Sequence, residues 1–228
     1  MTSQYPRIFP LGDSALTVEF GSEISKRMNE QAIALSRRFE ENIFPGFIES
    51  VPAYASTTVF FDIKTVRHHF ADTASAFEAV SEIARNLISQ PDETAEPPNG
   101  LIEIPVSFDA ASALDLTAVS DTTGLSPEHI IDTFLERTYR VFMIGFLPGF
   151  AYMGEVAKRI AVPRKDSPRL RVPKGSVGIA GRQTGIYSLE SPGGWPIIGR
   201  TDVDMFTPLA ESPSLLKPGD AVRFLRAK

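Results

Sequence analysis

The first ninety residues switch twice between two hydrophobic periods. Leu16, Val18 and Phe20 alternate with Thr17 and Glu19. That is the two-residue repeat of a strand with one buried face. Residues 7–10 (RIFP) precede them across Leu11-Gly12-Asp13-Ser14, a run of turn formers, so the segment predicts a hairpin. From Ser25 the period lengthens. Met28, Ala32, Leu35 and Phe39 recur at helical spacing, with Lys26, Arg27, Glu30, Arg37 and Glu40 mostly on other faces. Pro45-Gly46 ends that helix. Residues 47–54 and 57–62 form a second strand pair around Ala55-Ser56. A second helix starts near Thr73, with Phe77, Val80, Ala84 and Leu87 on one side. The predicted order is β-β-α-β-β-α. Two amphipathic helices on one face of a four-stranded antiparallel sheet make a two-layer α+β domain, placed at residues 1–92.

The segment Gln90 to Gly100 reads QPDETAEPPNG. Three prolines, three acids and no large apolar side chain mark a linker, with 93–100 as its centre. A strand, Leu101 to Val106, opens the second domain. Leu114, Leu116 and Val119 predict a short helix. Ser126-Pro127-Glu128 is a helix start, with a serine cap, proline at the first position and an acid in the first turn. Ile130, Ile131, Phe134 and Leu135 supply its buried face. Beyond Tyr139 the pattern is short strands between closely spaced turns. Lys217-Pro218-Gly219-Asp220 has the residues of a type II turn. Residues 101–228 therefore read as an all-β barrel or sandwich.

Composition sharpens this picture at one place. The stretch Tyr139 to Thr201 holds ten of the chain's 16 glycines, its only tryptophan, and ten Arg and Lys against three acids. It carries +7 in a chain of net charge −5. Within it, Pro163 to Lys174 (PRKDSPRLRVPK) packs five cations into twelve residues that include three prolines. Arginine grips carboxylates and phosphates through paired hydrogen bonds, and a proline-restricted loop costs less entropy to hold against a ligand. The residues leave two readings open, an anion site and a solvated basic face.

Other chemistry is narrowed by what the chain contains. It has no cysteine, so it offers no disulfide, thiolate nucleophile or Cys-based metal site. The three histidines, His68, His69 and His129, all lie outside the glycine-rich stretch. The first two read as loop or helix-entry residues, the third as a first-turn surface residue. No HExxH pattern occurs, so no metal site is assigned. Gly145 to Gly149 lacks the Gly-Lys-Ser/Thr ending of a P-loop, and Gly178 to Gly185 has strand-like flanks unlike a dinucleotide fingerprint. The first twenty residues do not read as a signal peptide, and no run reaches 18 apolar residues. The net charge argues against a nucleic-acid binder.

The order of motifs resembles one bacterial family over almost the whole length. The blocks are GDSALTVEF (12–20), VPAYASTTVFFD (51–62), IEIPVSF (102–108), YRVFMIGFLPGFAYMG (139–154), the run from Pro163 to Thr201, and LKPGDAVRF (216–224). They are similar to the carboxyltransferase-domain family of the 5-oxoprolinase B subunit. That family also includes allophanate hydrolase subunit 1, part of urea carboxylase, and a sporulation-kinase inhibitor. The resemblance implies a small α/β domain followed by a cyclophilin-like β-barrel. It implies ATP-dependent opening of 5-oxoproline to glutamate, with ATP and Mg belonging to the complex and none held tightly by this chain alone. It further implies two partners, a homologous C-type barrel subunit with an A-type lactam-utilisation subunit, in a cytoplasmic location. Allophanate hydrolase subunit 1 and a non-catalytic kinase-inhibitor-like binder are the alternative readings. Against the family pattern, the glycines before Asp115-Leu116 are missing, and Phe134 stands where a histidine is common.

On this basis Arg164, Arg169, Gln183 and Tyr187 are assigned as catalytic. Lys174 and Arg200 are assigned to the small anionic substrate, in a site shaped by Gly145, Pro148, Gly149, Gly178, Gly181, Gly193 and Gly194. The boundary carries its own test. Limited proteolysis cuts first within Gln90 to Gly100 and leaves fragments near 1–90 and 100–228. First cuts within 163–174 would place the weak point in the basic segment instead.

Overall fold

The computed structural model describes residues 5–90 and 100–227. The chain divides into two compact units, Met1–Pro97 and Pro98–Lys228. Most of the expected linker lies outside the described residues.

The first unit contains β1 (Arg7–Pro10), β2 (Ala15–Glu19), α1 (Lys26–Glu41), β3 (Phe47–Pro52), β4 (Ser56–Phe61), α2 (Ile63–His69) and α3 (Ala76–Ser89). Its sheet runs β1-β2-β4-β3 with every neighbour antiparallel. The alternation read from sequence sends Leu16, Val18, Val59 and Phe61 to one face, against Leu35 and Phe39 of α1 and Val80 and Ala84 of α3. Ser25 Oγ caps α1 by accepting from the Met28 amide at 3.2 Å. Ser75 Oγ accepts from the Glu78 amide at 3.1 Å, while Glu78 accepts from the Ala74 amide at 2.9 Å, a reciprocal cap on α3. The extra helix, α2, corrects the reading of His68 and His69, which lie in its last turn. Asp62 accounts for it. Its carboxylate accepts from the Thr65 amide at 2.8 Å and the Thr65 hydroxyl at 2.6 Å, which starts a helix directly from the end of β4.

The second unit contains β5 (Ile102–Val106), α4 (Leu116–Thr123), α5 (Pro127–Leu135), β6 (Thr138–Ile144) and β7 (Ala151–Gly154). It continues with β8 (Arg169–Val172), β9 (Ser176–Ala180), β10 (Gln183–Ile186), β11 (Ser191–Gly193), β12 (Ile197–Arg200) and β13 (Ala221–Arg226). Seven strands form one sheet in the order β12-β9-β10-β7-β6-β13-β5. Its two edges meet. The Ser107 amide donates to Arg200 O at 2.7 Å and the Arg200 amide donates to Ser107 O at 2.9 Å, which closes the sheet into a barrel. Closure removes the exposed edges that a sheet otherwise presents. The last strand, β13, lies between β6 and β5 and runs parallel to β5, so the barrel is mixed rather than wholly antiparallel. Parallel pairing needs a long crossover, and here everything from α4 to the 217–220 turn supplies it.

One face of the sheet packs with both helices into a single core. Ile104, Val141, Met153, Ile179, Ile198 and Phe224 meet Val119, Ile130, Ile131 and Phe134. Phe134 is fully buried. Its ring stacks on Phe224 at 4.8 Å and lies 5.1 Å from Tyr139, whose hydroxyl donates to Phe134 O at 2.9 Å. An aromatic hydrocarbon fills this place completely. Phe134→His therefore lowers unfolding stability by about 1–3 kcal/mol, because the imidazole gains no partner there. It also gives no increase in turnover. Denaturant melts and steady-state assays check both halves, and a gain in turnover would assign the position a role in catalysis.

Candidate functional site

A second, smaller cluster lies on the opposite face of the barrel sheet. Tyr152 of β7 stands opposite Gly185 of β10, Gly185 opposite Gly178 of β9, and Gly178 opposite Ile197 of β12. Two glycines side by side leave a hollow over the sheet, and large rings occupy it. Phe150, Tyr187, Trp195, Ile197, Val172 and Ala180 form the buried part, with Leu147 and Tyr152 against it. Phe150 lies at the centre, 4.8 Å from Tyr152, 5.3 Å from Tyr187 and 5.7 Å from Trp195 by ring centroids. Phe146 covers it from outside, edge-on to Phe150 at 5.5 Å and to Tyr187 at 6.4 Å. Two glycines are needed by this arrangement. A Cβ on Gly193 would lie 2.3 Å from the Tyr187 hydroxyl, and one on Gly149, at φ +74, would lie 2.7 Å from Met205 O.

The basic segment folds along the rim of this cluster, and its five cations are not equivalent. Lys165 donates to Asp115 Oδ1 at 2.8 Å. Arg169 grips the same carboxylate with both terminal nitrogens, at 2.5 and 2.8 Å. Arg171 pairs with Glu190 at 2.7 Å and Lys174 with Asp204 at 2.5 Å. Arg164 alone has no carboxylate partner among the described residues. Its guanidinium lies 5.8 Å from the Trp195 ring centroid, a cation–π contact on an exposed side chain. Asp115 and Asp204 both come from outside Tyr139 to Thr201, so the +7 of that stretch overstates the charge left for a ligand.

The structure brings Arg164, Arg169, Tyr187, Gly178, Gly193 and Gly194 together around Trp195. Gly194 O accepts from the Lys165 amide at 2.7 Å, tying the basic segment to the strand that leads to Trp195. Gly145 and Pro148 form the turn before Phe150, with the Gly145 amide donating to Phe150 O at 3.1 Å. The remaining assigned residues lie elsewhere. Gln183 is on the same face of the sheet, at the other end of β10 from Tyr187, about 13 Å along a strand. Gly181 is the open turn before it. Arg200 closes the barrel through its backbone, with its side chain at the surface. Lys174 is turned to Asp204.

The carboxyltransferase domain, subdomain C and D family matches residues 6–216. The chain belongs to this family. Two relatives bear the name of the 5-oxoprolinase B subunit. The one from Bacillus subtilis (strain 168) is 44% identical, over 99% of this chain and 94% of the relative. The one from Escherichia coli O157:H7 is 34% identical, over 99% and 98%. The crystal structure of TTHA0988 superposes with a TM-score of 0.81 at 37% identity, over 94% of this chain. This chain spans 40% of the TTHA0988 chain.

Within this carboxyltransferase-domain chain, the residue that sequence reasoning passed over is Asp115. It sits at the N-cap of α4, where an aspartate ordinarily caps, yet its side chain makes no capping bond. It faces the two cations instead, 4% exposed, and also accepts from the Ile197 amide at 2.8 Å. Burial opposes its ionisation, but the hydrogen bonds from Arg169, the Ile197 amide and Lys165 outweigh it, so its carboxyl stays below the usual range. Burial pushes the Tyr187 hydroxyl up, opposed by a hydrogen bond from the Trp195 backbone, and it pushes Tyr152 up against the charge of Arg164. A lowered carboxylate contributes stability above its ordinary 3.8, and that contribution disappears as the pH falls through the lower folded value. Acid unfolding of the wild-type chain therefore steepens below 3.8, and Asp115→Asn flattens that part of the profile. Identical acid limbs in the two proteins would contradict the ionised clamp.

Proposed function

We propose that this chain is the B subunit of an ATP-dependent 5-oxoprolinase, opening the lactam of 5-oxoproline to glutamate together with partner subunits. One observation carries the reading. It is the 44% identity to a 5-oxoprolinase B subunit, running through almost the whole of both chains. The geometry fits such a substrate. 5-Oxoproline is a small ring bearing one carboxylate. Arg164 is the cation of the basic segment with no carboxylate of its own among the described residues, and it sits on an aromatic floor of Trp195, Tyr152 and Tyr187. The guanidinium would bind the carboxylate, and Tyr152, the partly exposed ring of the three, would meet the apolar edge of the lactam.

ATP with Mg is assigned to the complex as a whole, with none held tightly by this chain alone. Asp115, Glu190 and Asp204 each pair with cations of the basic segment. The partners are a homologous barrel subunit with a lactam-utilisation subunit, and the complex is cytoplasmic.

The test is ATP-dependent conversion of 5-oxoproline to glutamate by this chain with its neighbouring subunits, and by those subunits without it. Turnover requires this chain. Arg164→Met lowers kcat/KM by about 10- to 100-fold, mostly through KM, in line with loss of a charge-assisted hydrogen bond. No turnover by the complete wild-type assembly would overturn the proposal.

A further inference from the structure

We infer that Asp115 is a positioning residue, which fixes the basic segment so that Arg164 is presented over Trp195. This deepens the reading of the Arg164–Trp195 face as the substrate site, and rests on it. A buried aspartate at a helix N-cap has a local use available to it, the amides of the first turn. The Asp115 side chain forgoes that use, and the four hydrogen bonds to its carboxylate all come from residues fifty or more positions away.

Those bonds join three parts of the unit. The Asp115 amide donates to Ile197 O at 2.8 Å and the Ile197 amide donates to Asp115 Oδ2 at 2.8 Å, so Asp115 is tied to β12 through both backbone and side chain. Ile197 is two residues from Trp195. Lys165 is the immediate neighbour of Arg164, and Arg169 lies at the other end of the same turn. One carboxylate thus fixes both ends of residues 165–169 and the strand beneath them. Gly194 O, bonded to the Lys165 amide at 2.7 Å, adds a backbone tie at the Arg164 end. Among the described residues the Arg164 side chain leans on the Trp195 ring. A long exposed side chain samples many rotamers, so its placement depends on how firmly the adjoining backbone is held.

The fork between Arg169 and Asp115 also explains why Arg169 is a poor ligand group. Both terminal nitrogens are engaged by the carboxylate. Their charges largely cancel. The ammonium of Lys165 leaves the trio with a net +1 next to Arg164. Asp166 beside Lys165 offsets that charge, so an anion is held by Arg164 itself, the group without an acid partner among the described residues.

The test compares wild type, Asp115→Asn and Arg169→Lys, alone and in the assembled complex. Asparagine keeps the shape but presents an amide to two cations, and lysine keeps the charge but loses the fork. Trp195, the only tryptophan in the chain, reports the geometry without any substrate. It is nearly buried, so acrylamide quenches it weakly in the wild type. Both variants raise the quenching constant at least twofold while thermal unfolding remains a single sharp transition. In the complex both lose about 10- to 100-fold in kcat/KM, the scale of a misplaced binding group. Combining either with Arg164→Met causes little further loss, because all act through Arg164. If Asp115→Asn does not fold, Arg169→Lys carries both readouts. Unchanged quenching with unchanged kcat/KM would overturn the inference, as would losses that add fully to that of Arg164→Met. A wild-type complex that turns over no 5-oxoproline defeats the functional reading separately, and quenching then decides the positioning role.

Discussion

One carboxylate organises the candidate site. Asp115 is buried with two cations and a backbone amide on it, so three segments distant in sequence share one anchor. A buried charge is costly when unpaired and becomes tolerable only when hydrogen bonds satisfy it fully. That requirement acts in both directions. The basic segment cannot leave without stranding Asp115 in the barrel wall, and Asp115 cannot be removed without leaving Lys165 and Arg169 facing each other. The clamp is therefore worth less as net stability than as a constraint on geometry. The aromatic floor supplies the stability, through Phe150 and the rings that meet it over Gly178 and Gly185.

The distribution of charge follows from the same constraint. Four of the five cations between Pro163 and Lys174 pair with acids of this chain, Lys165 and Arg169 sharing Asp115, and Arg164 has no acid partner among the described residues. The site is thus selective rather than generally basic. A polyanion would meet a face already neutralised at Arg171 and Lys174. A small ligand with a single carboxylate matches the remaining group.

Much of the fold was legible in the sequence because its signals are local. The two-residue period at Leu16–Phe20, the helical period from Met28 to Phe39 and the Ser126-Pro127 cap each specify an element without help from the rest of the chain. The helix α2 was missed because its start depends on one side chain, Asp62, reaching two groups of Thr65. The parallel placement of β13 beside β5 joins segments more than a hundred residues apart, and no local period records it. The site was legible in outline only. Arg164, Arg169, Tyr187 and the glycines around Trp195 do converge. Gln183 and Arg200 entered through the same run of residues, but strand direction carries them elsewhere. Asp115 entered the sequence reading only as the remnant of the family's Asp-Leu pair, because an aspartate before a helix already has an ordinary explanation, and its missing capping bond shows the other use.

The central claim is that Arg164 is the cation of the basic segment left for an anionic substrate. Arginine modification by phenylglyoxal, mapped by mass spectrometry in the assembled complex, tests it directly. Arg164 reacts freely, and 5-oxoproline protects it. Arg171 is exposed, reacts, and gains no protection, while Arg169 reacts slowly with or without substrate. Protection at Arg171 with none at Arg164 would contradict the account.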